Sequence, residues 1–134
     1  MKRGLNPFLL IICALAVIII FCCGAANPQT ELTTHMEKIV SILKEHGDDT
    51  NQAASSLKEY VDNNLDTIKN IMTKIEENNA SKPDKDKLDI NLIFRHTEII
   101  KNLKKLEQEK PALMNDQKVK EALKPLFEAL KLSI

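Results

Sequence analysis

Three histidines come first among the residues whose types could do chemistry. His35 and His46 stand eleven residues apart. On one helix that is about three turns, so they share a face yet sit about 16 Å apart along the axis. One metal ion cannot bridge them. His46-Gly47-Asp48-Asp49 places an imidazole beside two carboxylates at a helix junction. A divalent ion could be held there weakly, but the simpler reading is a cation at a helix C-terminus, a glycine stop and an acidic N-cap. His96 falls beside the apolar face of a later helix and reads as a boundary residue, not a ligand. Neither a catalytic residue nor a metal site is expected from the histidines.

The cysteines are Cys13, Cys22 and Cys23, and none follows. From Asn27 onward, therefore, no thiol nucleophile, thiol redox centre, cysteine metal site or intramolecular disulfide can form. Cys13 and Cys22 read as apolar filler. Cys23 is the one with a covalent role to weigh. Followed by Gly24 and preceded at three residues by Ile20, it looks like the lipidated cysteine of a lipobox, although Phe21 and Cys22 stand where small residues are usual. Cys23 is the candidate lipidation site.

All three thiols lie inside a stretch that reads as an address. Lys2-Arg3 precede an almost unbroken apolar run from Phe8 to Cys23, and Gly24-Ala25-Ala26 follow. A charged start, an apolar middle and a small-residue exit are the parts of a secretory signal. The run is slightly longer than a cleaved signal needs and, counted on to Ala26, close to the ~20 residues that span a bilayer. Three fates compete: cleavage before Cys23 with lipidation, cleavage after Ala25 or Ala26, or retention as an anchor with Lys2 and Arg3 on the cytoplasmic side. All three export the rest of the chain. Residues 1–26 are thus a signal peptide or membrane anchor, and 27–134 a single exported domain on the periplasmic or outer side of a membrane.

That domain carries 17 basic and 19 acidic residues and a single glycine, Gly47. So even a balance argues against a nucleic-acid surface, which needs clustered basic excess. No HExxH, GxSxG, SxxK or glycine-rich phosphate loop is present, so neither an enzyme nor a cofactor is expected. Lys101, Lys104, Lys105 and Lys110 could touch anionic lipid, but Glu98, Glu107 and Glu109 interleave with them, as on a solvated helix face.

Apolar periodicity supplies the elements. Leu32, Met36, Ile39, Val40 and Leu43 recur every three to four residues, one face of a helix. Thr34 with Glu37, or an earlier Thr30, would cap it. Gly47 ends it. Asp49 with Gln52 opens a second helix whose face runs Ala53, Leu57, Val61, Leu65, Ile68, Met72 and Ile75. Asp62-Asn63-Asn64 are poor helix formers, yet the stripe stays in phase across them, so one long helix is expected, with a kink allowed there. Residues 78–87 lack periodicity and contain Pro83, which reads as a linker. A third helix carries Leu88, Leu92, Ile99, Leu103 and Leu106, widened by Ile93, Phe94 and Ile100, and Pro111 closes it. Asp116 caps a last helix with Val119, Leu123, Leu126, Phe127 and Leu130, which Pro125 should kink or split.

No stretch alternates with period two for long enough to make a strand. Amphipathic helices must bury their faces against one another, so the expected fold is all-α, a small bundle of about four helices. The near-seven repeat of the second helix makes an oligomeric coiled coil the competitor. Residues Gly47 to Asn64, GDDTNQAASSLKEYVDNN, resemble a pattern in short helical envelope lipoproteins of bacteria, where an export signal leads into a helix, an acidic polar turn and an Ala-Ala-x-x-Leu helix. That resemblance implies a bacterial envelope location and no known activity. The function expected is non-catalytic: a membrane-tethered protein acting by protein binding or self-association, with no nucleic-acid partner. The alternative is a small carrier or sensor holding an apolar ligand between its helices.

Overall fold

The structure is a computed structural model and describes residues 28–80 and 90–130. Within them the chain is helical and has no strand. The helices are α1 (Pro28–Glu45), α2 (Thr50–Ala80), α3 (Ile90–Glu109), α4 (Pro111–Asn115) and α5 (Gln117–Ala129). The all-α bundle expected from periodicity is what forms. None of these helices is long and apolar enough to cross a membrane; Cys23 and the rest of the N-terminal segment lie outside the described residues.

α1 and α2 make an antiparallel hairpin around a four-residue turn. Asp49 caps α2 as expected, its Oδ1 accepting the Gln52 backbone N–H at 3.0 Å. Gly47 is needed for room, because a Cβ there would stand 3.3 Å from the Leu43 carbonyl oxygen. At the other end of α1 the expected caps do not form. The helix already includes Pro28, and Thr34 turns its hydroxyl back onto the Thr30 carbonyl. Competition from the carbonyl one turn back is a standard fate of threonine inside a helix.

α2 runs unbroken through Asp62-Asn63-Asn64. Asp62 pairs with Lys58 at 2.6 Å, and Asn64 donates to the Tyr60 carbonyl, so this polar patch lies along the outside. α2 also takes in residues 78–80, the start of the expected linker; residues 81–87 and Leu88 lie outside the described residues. Pro111 does more than stop α3. Its fixed φ and missing N–H suit a first helical position, and it opens α4, which buries Leu113 and Met114. Asp116 accepts from the N–H groups of Lys118 and Val119 and starts α5. Pro125 does not split that helix.

α1 packs on α2 and α3, and α2 packs on α1 and α5. Cross-helix contacts give the directions. Thr33 meets His96 and Lys44 meets Asn102, so α3 runs parallel to α1. Asn51 meets Lys118 near the starts of both helices, and one groove is lined by Asn51 to Asp62 of α2 and Lys118 to Pro125 of α5, so α5 runs parallel to α2. α3 is therefore antiparallel to α2, yet it packs on α1. Lys110 pairs with Asp48, joining the start of α4 to the α1–α2 turn.

Between the helices lies one cluster built almost wholly of Leu, Ile, Val, Met and Ala. Leu57, Val61, Ile68, Ile75, Leu92, Ile99, Leu103, Leu123 and Phe127, the centres of the sequence stripes, are all buried. The stripes' edges behave differently. Leu65 and Met72 are half-buried while Ile71 takes a core place on α2, and Phe94, expected to widen the apolar face of α3, is 66% exposed.

Candidate functional site

Polar chemistry concentrates around the N-terminal half of α1, which sits between α2 and α3. Three consecutive residues, Thr33, Thr34 and His35, point in three directions because successive helical positions are turned by about 100°. Thr33 faces the core, Thr34 the α3 side and His35 the α2 side. Glu37 joins Thr34 one turn on.

The inner contact is Thr33 with His96. Both side chains are fully buried. The Thr33 hydroxyl lies 2.7 Å from the Gln29 carbonyl oxygen and 2.6 Å from His96 Nε2. A hydroxyl has one proton, and a carbonyl can only accept, so Thr33 donates to Gln29. His96 Nε2 must then carry the proton that Thr33 accepts. The geometry thus fixes the tautomer: neutral His96 is protonated on Nε2. Sequence placed His96 at the boundary; in the structure it is core, because α3 turns it straight at α1. The Nε2 contact with Thr33 offsets part of the cost of burying this polar ring.

On the α3 side Arg95, the sole arginine after Arg3, forks onto Glu37. Its Nε lies 2.8 Å from Oε1 and its Nη2 2.7 Å from Oε2, while Nη2 also donates to the Thr34 hydroxyl at 3.0 Å. The planar fork matches a carboxylate as no lysine could. Hydrogen bonds from Arg95 hold the Glu37 carboxyl below its ordinary value, against the opposing effect of partial burial, and the positive charge of Arg95 acts the same way.

On the α2 side His35 Nδ1 lies 2.7 Å from the Tyr60 hydroxyl. Burial pushes the His35 imidazole below its ordinary value, partly offset by Glu31, and burial raises the Tyr60 phenol. Both shifts favour the neutral forms. Position numbers held a clue to this pair, since 35 and 60 are equally far from the middle of the hairpin turn. Nothing marked either residue as a partner without knowing that the turn was tight.

The other expected positions are occupied in structural ways. His46 sits half-buried in the turn, Asp49 caps α2 and Asp48 pairs with Lys110. Among the described residues no three His, Cys, Asp or Glu side chains stand close enough to hold a metal ion. In the lysine patch, Lys101 approaches Glu98 at 3.6 Å and Lys105 approaches Glu109 at 3.8 Å. These contacts pull the cations into neutral pairs along α3.

Two of the grooves among the described residues lie on these helices. One, between α2 and α5, has a volume of about 420 Å³, a floor of Ala54, Ala122 and Pro125, and a rim of Lys58, Asp62, Lys118 and Glu121. The other follows the α1–α3 junction past Glu37, Ser41, Lys44, Arg95 and Asn102. Both lie open to solvent and alternate in charge sign along their rims. No protein-family model, curated protein or solved structure matches the chain.

Proposed function

We propose that this chain is a non-catalytic helical protein of the bacterial envelope, tethered to a membrane by its N-terminal segment or by lipid on Cys23, and acting by binding protein, a second copy included. The observation that carries the reading is how the polar groups are used. Arg95–Glu37, Thr33–His96 and His35–Tyr60 each join α1 to a neighbouring helix. Their hydrogen-bonding capacity goes to fixing the bundle, while a catalytic constellation would turn it toward an open cleft. The carrier reading draws no support from the two grooves. They are open and charge-rimmed, whereas apolar ligands favour enclosed apolar clefts.

Two measurements test the proposal. Cys23→Ser in the full chain should lose palmitate labelling and accumulate as a larger precursor, or shift to cleavage near Ala26. A mutant matching wild type in mass, labelling and membrane partition would remove Cys23 as the anchor. Detergent-extracted full chain should run by light scattering as an assembly, with itself or with another envelope protein. A monomer that turns over a substrate, and loses that activity on changing one polar residue, would overturn the non-catalytic reading.

A further inference from the structure

Four exposed charges line the groove between α2 and α5, and they alternate in sign along it. The Asn51–Lys118 contact sets the two parallel helices in register, so Glu121 stands level with Ala54. From the α1–α2 turn upward, the order is therefore Lys118, Glu121, Lys58 and Asp62. Steps of three or four residues separate them, about 4.5–6 Å each along the axis. Between the charged rims the floor is Ala54, Ala122 and Pro125, side chains too short to fill a cleft of about 420 Å³.

Within one chain these charges are only lightly engaged. Lys58 and Asp62 pair along α2 at 2.6 Å, Gln117 Nε2 donates to Glu121 along α5 at 3.1 Å, and Lys118 donates to Asn51 at the turn end of the groove. Exposed pairs one helical turn apart contribute little, so their members re-pair readily. The α1–α3 groove differs. There Arg95 reaches across to Glu37 and Lys44 to Asn102, so its charged groups are already engaged from wall to wall.

We infer that the α2–α5 face docks, antiparallel, on the same face of a second copy of this chain, about a twofold axis crossing the groove at half its height. Turning the groove end for end converts plus, minus, plus, minus into minus, plus, minus, plus. The partner's Asp62 then comes level with Lys118, and the partner's Lys58 within one residue, about 1.5 Å along the axis, of Glu121. By symmetry each contact occurs twice. A parallel pairing would instead set like charges level with one another. An unrelated partner would need the opposite charges at the same spacing, whereas a second copy already carries them. The short floor side chains let facing helices come close. Two copies tethered in one membrane meet this way with their helices lying along its surface and the twofold axis upright. This rests on the protein-binding reading and deepens it, naming the partner and the face it takes.

Charge reversal in the detergent-extracted full chain tests it, read by sedimentation velocity. Wild type should run as a dimer that weakens with added salt. Lys58→Glu and Glu121→Lys should each weaken the dimer by about tenfold or more, because each sets like charges together twice. Mixed in equal amounts, the two variants should dimerise again, since each supplies the charge the other now faces. Both changes in one chain should restore the dimer too. Lys124→Glu, outside the groove, should leave it unchanged, and circular dichroism checks that every variant is folded. Single variants that dimerise as well as wild type, or a mixture that stays monomeric while wild type is a dimer, would overturn the proposal and leave protein binding to another face. A monomeric wild type would overturn it as well. If that monomer still binds a purified envelope protein, the protein-binding reading stands without it.

Discussion

Replacing Thr33 by Val tests the buried contact on which the assignment of His96 rests. The side chains are nearly the same size, so packing is kept while the hydroxyl is lost. In the native protein that oxygen accepts from His96 Nε2 at 2.6 Å and donates to the Gln29 carbonyl at 2.7 Å, with both side chains fully buried. The Gln29 oxygen faces the α1 ladder and loses little. The imidazole N–H loses its acceptor inside the core, which costs about 1–3 kcal/mol for a buried neutral donor. For a domain of this size each kcal/mol moves Tm by about 4–8 °C. Urea denaturation of Thr33→Val, His96→Phe and the double variant completes a cycle. Because the second change removes the stranded donor, the double variant should cost about 1 kcal/mol less than the two single changes added together. Nitrogen NMR of the native protein should show His96 protonated on Nε2. Additivity within about 0.5 kcal/mol, or protonation on Nδ1 alone, would refute the proton assignment.

Three further outcomes follow from the same geometry. Leu103, 1% exposed, should lose about 2–5 kcal/mol on change to Ala in urea denaturation, and a loss below about 0.5 kcal/mol would break the phasing of α3. Arg95→Met should cost about 1 kcal/mol or less, shrinking in high salt because the pair is part-exposed, and carboxyl NMR should show Glu37 titrating closer to its ordinary value. Stability followed by circular dichroism should fall in two stages on acidification. His35, depressed in the folded state, begins to remove stability as pH drops below its ordinary 6.5, and Glu37 does so below 4.5. His35→Asn should abolish the first stage and leave the second.

Helical periodicity exposed the core because each stripe's centre must be buried whatever its neighbours are. Leu57, Val61, Leu103 and Phe127 needed no knowledge of which helix they would meet. Stripe edges did need it. Phe94 lies at the border of the α3 stripe and falls outside, while His96, two residues on, falls inside, because α3 lies parallel to α1 and turns His96 at Thr33. That pairing joins helices far apart in sequence, which no local spacing encodes. The same reason hid Arg95–Glu37, whose partners are 58 residues apart. α4 was hidden by scale. Five residues hold barely one turn, too few for a periodic signal, although Pro111 followed by the Leu113-Met114 pair marks both its start and its buried side.

If the chain is tethered to a membrane as proposed, geometry and tether length together constrain how it would sit there. Suppose residues 8–23 enter a bilayer, or Cys23 carries lipid in one. The four residues before Pro28 then hold α1 within about 17 Å of that surface. α2 runs antiparallel to α1 and projects about 20 Å past Pro28 in the same direction. With the bundle axis along the membrane normal, the last turn of α2, with Glu76 and Glu77 exposed just before it, would be driven below the level at which the tether enters. Carboxylates resist the hydrocarbon at a cost of several kcal/mol, whereas leaning the bundle costs little. A lean of about 30° or more brings the overhang within the tether's reach. It also lays one flank of α2 against the headgroups.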